Sequence, residues 1–406
     1  MRTSEAVLVL ARRTRSDRML RRVLVALCAF FSLTVSAAAY AGDCDQLPML
    51  MRPANQHDIV QDLRDLVKND AALNRQFNAA LTDPVRAKDN YFAEDGAAKL
   101  YALFSVWHKY LPLERTVADY YLQFNELFFQ IKDRAARPDD PANLVAIPAA
   151  QALLHNAQFS AWLKRYVLSQ GDYLDSPDSG RAVRCWLGNR KIDMSQYRVP
   201  DGGFRSFNDF FTRELKPGLR PVAGQLDPAV LVAPADCQLS PVVRQLTTST
   251  ELSVKQEFLN VAQLLNGDSH ANEFLGGDAL VCVLQIENYH HMHSPIDGTV
   301  IATQMVDGQY FGEPLGPGLL TKNRRGFILV DTQRFGLVGI VPVGIATISS
   351  LHISVKPHDV LLKGDEMGYF KYGGSVIVML FQKDRLHLEP FRHMGERLGT
   401  MNPTGP

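Results

Sequence analysis

Five cysteines in 406 residues are too few to scaffold the chain, and none stand as a CxxC pair, so the usual structural zinc framework has no support. Neither sign of charge is in excess, with 43 basic residues against 43 acidic ones. The balance gives no electrostatic footprint for nucleic acid. Internal repeats and low-complexity tracts are absent, and beyond residue 41 no apolar run is long enough to span a bilayer. There is no G-x-S-x-G elbow, so a serine-hydrolase nucleophile has no support either. What remains is an ordinary globular composition, 46% hydrophobic and 21% charged, in a chain long enough for two or three folding units.

The basic residues are unevenly spread. Residues 1–41 hold seven arginines and two acids, which leaves the body of the chain at −5. Arg21-Arg22 precede the apolar run Val23–Val35, and Ala39-x-Ala41 follows. Positive flank, apolar stretch and small-residue end predict a secretory signal over 1–41, with Met19 as an alternative start. An uncleaved anchor is the competing reading, because Val23–Ala41 is 19 residues long and ~20 are needed to span. Either way the body is expected to be exported, as a periplasmic or membrane-associated protein. Cys44, Cys185, Cys237 and Cys282 then remain, with three possible pairings. Cys44 and Cys185, at the two ends of a helical region, are the pair expected, and Cys282 reads as a buried strand residue.

The spacing of Ile59, Val60, Leu63, Leu66 and Val67 predicts a helix. The same holds for Tyr120, Phe124, Leu127, Phe128 and Ile131, and for Phe159, Trp162, Leu163, Tyr166 and Val167. Asp172–Gly203, rich in Gly, Ser, Asp and Pro, reads as a join. After Phe204 short β-branched runs appear between Gly, Pro and Asp: 230–233, 279–286, 326–330, 337–341 and 376–381. The expected fold is α+β, with a helical domain over 42–203 followed by a β-rich domain over 204–390.

Three segments of the β-rich part could carry chemistry. These are Ala233-Pro-Ala-Asp-Cys237, Asn288-Tyr-His-His-Met-His-Ser-Pro-Ile-Asp-Gly298 and Gly368-Tyr-Phe-Lys-Tyr-Gly-Gly-Ser-Val376. In an extended chain His291 and His293 share a face, which a metal could exploit, but no recognisable ligand framework surrounds them. Histidine also suits proton transfer near neutral pH. Taken alone, Gly373-Gly374-Ser375 is a tight turn and Asp236 a turn or cap residue.

Together with Phe207-Asn-Asp-Phe-Phe-Thr-Arg-Glu-Leu-Lys-Pro-Gly-Leu-Arg-Pro221 and Lys363-Gly-Asp-Glu-Met-Gly-Tyr-Phe370, these segments resemble the phosphatidylserine decarboxylase family in content, order and separation. The helical part loosely resembles the N-terminal extension of a branch that includes soluble aromatic amino-acid decarboxylases. The resemblance implies a proenzyme that cuts itself between Gly374 and Ser375, giving two chains and turning Ser375 into a pyruvoyl group, with no metal. His293 matches the family's base, Asp236 the carboxylate that orients it, and His290 lines the substrate site. The implied reaction converts phosphatidylserine to phosphatidylethanolamine and CO₂. A free amino acid, aromatic ones included, is the alternative substrate, and a non-catalytic lipid- or partner-binding module the alternative role. Peripheral membrane contact and a homodimer are both compatible with this reading; nucleic acid is not expected. Three single positions depart from the family pattern, Val376 standing for Thr, Asn288 for an acid and His291 for Arg, and so does the segment Tyr310-Phe-Gly-Glu-Pro314. An Arg could pair bidentately with a carboxylate or phosphate where His cannot.

Overall fold

The computed structural model describes residues 57–404 apart from 109–122, 124–125, 134–142, 241, 249, 253–256, 309–322, 345–349, 373–374 and 390–392. At 250–252, 257–259 and Ser375 only the backbone is described. The expected signal and Cys44 lie outside the described residues.

Helices Ile59–Asn69, Ala71–Leu81, Gly96–His108, Pro148–Leu154 and Ala157–Asp175 build the N-terminal part. Their limits follow from capping. Asp70 ends the first helix and caps the second, its carboxylate accepting from the backbone N–H groups of Ala72 and Leu73. Asn156 does the same for Ala157–Asp175. The apolar stripe of that long helix meets Phe104, whose ring lies edge-on to Trp162 and Tyr166 at 5.0 and 5.2 Å. Trp162 Nε1 donates to the Ile59 carbonyl at 2.7 Å, so the buried indole keeps its polar atom satisfied.

The expected helix over Tyr120–Ile131 is not continuous. Tyr120 and Phe124 lie outside the described residues, and Phe129–Ile131 is a strand paired antiparallel with Leu144–Ala146. An aromatic and β-branched run fits a pleated, half-buried surface once a partner strand is near, whatever its helical spacing. Asp172–Gly203 is likewise more than a join. Its short helical turns bury Trp186 and Tyr197 among Phe207, Phe210, Tyr289 and Tyr372.

The β-rich part centres on a seven-stranded antiparallel sheet. Its order is Val360–Leu361, Gly298–Val306, Arg325–Asp331, Leu337–Gly344, Ser375–Phe381, Asp278–Leu284 and Gln238–Leu239. Alternation splits each central strand between two cores: Ile377, Met379 and Phe381 enter one, Val376, Val378 and Leu380 the other. Both faces are covered, which is why these strands read as continuous apolar runs rather than alternating ones. Two three-stranded sheets supply part of the cover: Leu351–Ile353 with Glu366–Phe370 and His291–His293, and Leu386–Leu388 with Arg397–Met401 and Val230–Val232. Arg397–Met401 pairs with Val230–Val232, so the β-rich unit runs beyond the expected limit at 390.

A disulfide joins Cys237 to Cys282, their Cα atoms 5.5 Å apart. Cys282 is therefore a buried strand residue, as expected, and a half-cystine as well. Cys185 is also disulfide-bonded. Among the described residues no helix is long and apolar enough to cross a membrane.

Candidate active site

Ser375 opens its strand, with Leu284 and Gly344 as its Cα partners on either side. Leu284 leads through a turn directly into Tyr289–His293. That turn is closed by the Gln285 N–H donating to Asn288 Oδ1 at 2.6 Å. It is clamped by buried Arg213, whose Nη2 donates to the carbonyls of Glu287 and Asn288 at 2.7 and 3.1 Å. Just before Gly373-Gly374-Ser375 in the chain, the Tyr372 N–H donates to Asn208 Oδ1 at 3.2 Å, and Asn208 Nδ2 donates to Asp175 at 3.1 Å. Gly374 lies outside the described residues.

His290 is wholly buried, its ring 4.0 Å from that of Phe211. Nδ1–H donates to the Asn288 carbonyl at 2.9 Å, while Nε2 has no hydrogen-bond partner among the described residues. Burial, aided by the Arg213 charge, pulls its pKa down to about 3. The ring is neutral, with a bare lone pair.

His293 is held on both sides. Nδ1–H donates to the Gly364 carbonyl at 2.8 Å, and Nε2 accepts from the Tyr289 hydroxyl at 3.1 Å. A carbonyl only accepts, so the proton sits on Nδ1 and the lone pair on Nε2. Burial holds its pKa below the ordinary value, opposed by the Gly364 carbonyl, Glu366 and Asp236. Burial also raises the Tyr289 hydroxyl far above its usual range, so that it remains a donor. His291, where an Arg was expected, reaches the Thr212 carbonyl through Nε2 at 2.9 Å and lies 3.0 Å from the Glu366 carboxylate through Nδ1. The nearness of His291 keeps that carboxyl below the usual range. No group of three or more His, Cys, Asp or Glu side chains among the described residues is arranged to hold a metal.

Asp236 is placed differently from the expected relay. Arg220 takes both carboxylate oxygens, Nε at 3.2 Å and Nη2 at 2.7 Å, and the Met394 N–H adds a third bond at 2.8 Å. Burial works against the Arg220 charge, but the Asp236 carboxylate outweighs it and raises the guanidinium pKa. The imidazole beside this carboxylate is that of His393, its Nδ1 3.7 Å from Oδ2. The structure does not bring Asp236 into hydrogen bonding with His293, although the His293 N–H donates to Pro234 O at 2.8 Å and sets the two segments side by side. Asp236 instead lines a polar cavity of about 310 Å³ with Arg220, Lys191, Glu287, Asn288 and His393.

Val376, at the departure from Thr, is buried in an apolar cluster. Tyr289, Arg213, Arg220 and Gly364 all lie inside the segments singled out from sequence, yet none was assigned a role. The available signal was charge: Arg213 and Arg220 are cations in a stretch otherwise studded with buried phenylalanines.

A model of the phosphatidylserine decarboxylase family matches residues 207–400. A phosphatidylserine decarboxylase proenzyme of Clostridium botulinum (strain Kyoto / Type A2) is 32% identical over 224 residues, 54% of this chain and 75% of that protein. The proenzyme 3 of Schizosaccharomyces pombe is 31% identical over 262 residues, covering 60% of this chain and 27% of that one. The proenzyme 2 of Oryza sativa subsp. japonica is 30% identical over 235 residues, 56% of this chain and 38% of its own length. This chain thus spans well under half of the longer relatives. The matched stretch contains Asn208, Arg213 and Tyr289–His293, and on the identity and coverage of the Clostridium relative the chain belongs to the phosphatidylserine decarboxylase family.

Proposed function

We propose that the chain is made as a self-cleaving proenzyme that converts phosphatidylserine to phosphatidylethanolamine and CO₂. The observation that carries this reading is His293, buried, neutral and with its lone pair on Nε2, in the segment that continues from the strand partner of Ser375. A serine hydroxyl needs a base to become a useful nucleophile, and a neutral imidazole is one.

In the self-cleavage, His293 takes the Ser375 hydroxyl proton as Oγ adds to the Gly374 carbonyl carbon. The Gly374–Ser375 C–N bond breaks, the Ser375 nitrogen gains a proton, and an ester remains. Loss of the Ser375 Cα proton then breaks the Cβ–O bond and releases the upstream chain as a carboxylate. Water replaces ammonia at the new N-terminus and leaves the pyruvoyl ketone. The surroundings fit an uncharged ketone: two neutral histidines, one with a buried unpartnered nitrogen, lie among Phe211, Tyr289 and Tyr372. When formed, the group serves as the electron sink for loss of the substrate carboxylate. His290 and His293 line the substrate's place, exclude water, and His293 supplies the proton that replaces CO₂. Asp236, fixed by Arg220, adds negative charge near His293.

The names of the relatives support a phospholipid substrate. Export, with membrane contact at the periphery, is supported by the signal-like N-terminus and by the Cys237–Cys282 disulfide, which suits an oxidising compartment. Intact-mass measurement should find two chains, the smaller being Ser375–Pro406 less one ammonia. Ser375→Ala should give one full-length, inactive chain. Decarboxylation by that variant would refute the reading. CO₂ release from phosphatidylserine but not from free amino acids is expected; the reverse would transfer the chemistry to an amino-acid substrate.

A further inference from the structure

The acceptor that orients His293 is a backbone carbonyl, and that carbonyl sits on a turn with an unusual anchor. Gly364 has φ +91°, and a Cβ there would come within 2.5 Å of Val222. Its N–H donates to Ser294 O at 2.8 Å, while the Ser294 N–H donates to Asp365 O at 2.7 Å, so turn and histidine segment are laced together. The preceding residue, Lys363, has its N–H on Asp297 Oδ1 at 2.7 Å. Its ammonium, almost wholly buried, donates to the carbonyls of Gly224, Asp227 and Val230 at 3.2, 2.6 and 3.0 Å, with the Asp297 carboxylate 3.6 Å away. A buried cation paired with three carbonyls and a carboxylate is costly to disturb, because each partner would be left unsatisfied.

We infer that Lys363 is a positioning residue for the self-cleavage: it pins the turn whose Gly364 carbonyl, rather than Asp236, fixes the orientation and tautomer of His293. This rests on the reading of His293 as the base. Asp236 carries both of its oxygens to Arg220, so its contribution is charge at a distance, not aim. The other charged and titratable groups facing His293 are Tyr289, His291 and Glu366, and the anchor touches none of them.

The test uses full-length precursor from cell-free synthesis, with cleavage followed over pH. Lys363→Met keeps the stem and removes the donor; Asp297→Ala, at a partly exposed site, loosens the same turn and serves if the first variant does not fold. Loosening the carbonyl should slow cleavage on the order of 10²-fold, the usual consequence of an ångström of misplacement. It should also move the acid limb of the rate profile to lower pH, because the Gly364 carbonyl is one of the groups that raise the basicity of His293. Wild-type rate and profile would overturn the inference, and so would a slower rate with the limb unmoved. His293→Ala separates the levels: normal cleavage there sinks the base assignment itself, whereas a dead His293→Ala beside a normal Lys363→Met sinks only the anchor.

Discussion

His290 occupies a place where a charge is expensive, against Phe211 and beside the Arg213 guanidinium. Its folded-state pKa of about 3 lies below the ordinary value of 6.5, so the unfolded chain binds the extra proton between those limits. Stability is therefore fully present above pH 6.5 and falls as pH drops toward 3, at up to about 1.4 kcal/mol per pH unit for one proton. His290→Phe should flatten the fall in unfolding free energy, measured by urea, between pH 6.5 and 5 by up to about that slope; an unchanged slope would show that the ring is already protonated in the fold. At this scale the sequence named the histidines but not their partners. Which nitrogen carries the proton depends on Gly364 and Asn288 carbonyls that nothing in the residue order points to.

At the scale of elements, the disulfide ties the segment bearing Asp236 to strand Asp278–Leu284, which in turn pairs with the strand opened by Ser375. It closes a sequence separation of 45 residues, for which the loss of unfolded-chain freedom corresponds to roughly 4 kcal/mol. Reduction, or Cys282→Ser, is expected to lower the unfolding free energy by an amount of that order, and to let the Arg220–Asp236 pair loosen. Equal urea midpoints with and without reductant would exclude it. The β-branched runs were legible because both-faces burial makes a strand apolar throughout. The Phe129–Ile131 strand was not, since its aromatic spacing suits a helix equally well until Leu144–Ala146 lies alongside.

Across the whole molecule, one aromatic cluster joins the two parts. Trp186 lies 5.8 Å from Phe207 and 6.2 Å from Phe210, and Phe207 lies 5.3 Å from Tyr372, two residues before Gly374. Asp175, at the end of the long helix, holds Lys371 at 2.7 Å. The helical part thus buttresses the segment that leads to the proposed cleavage point. Trp186→Ala should cost about 3–5 kcal/mol and slow self-cleavage as well, measured by urea unfolding and by the fraction of two-chain product. A stable variant that cleaves normally would show the parts to be independent. Residue order by itself determined the α+β division, the positions of the apolar central strands and the short list of candidate groups, because periodicity and motif chemistry are local properties. Only the tertiary structure decided that Arg220 claims Asp236 and that a pinned backbone carbonyl aims His293. Such pairings join residues far apart in the chain, and competition among buried donors and acceptors settles them when the core closes.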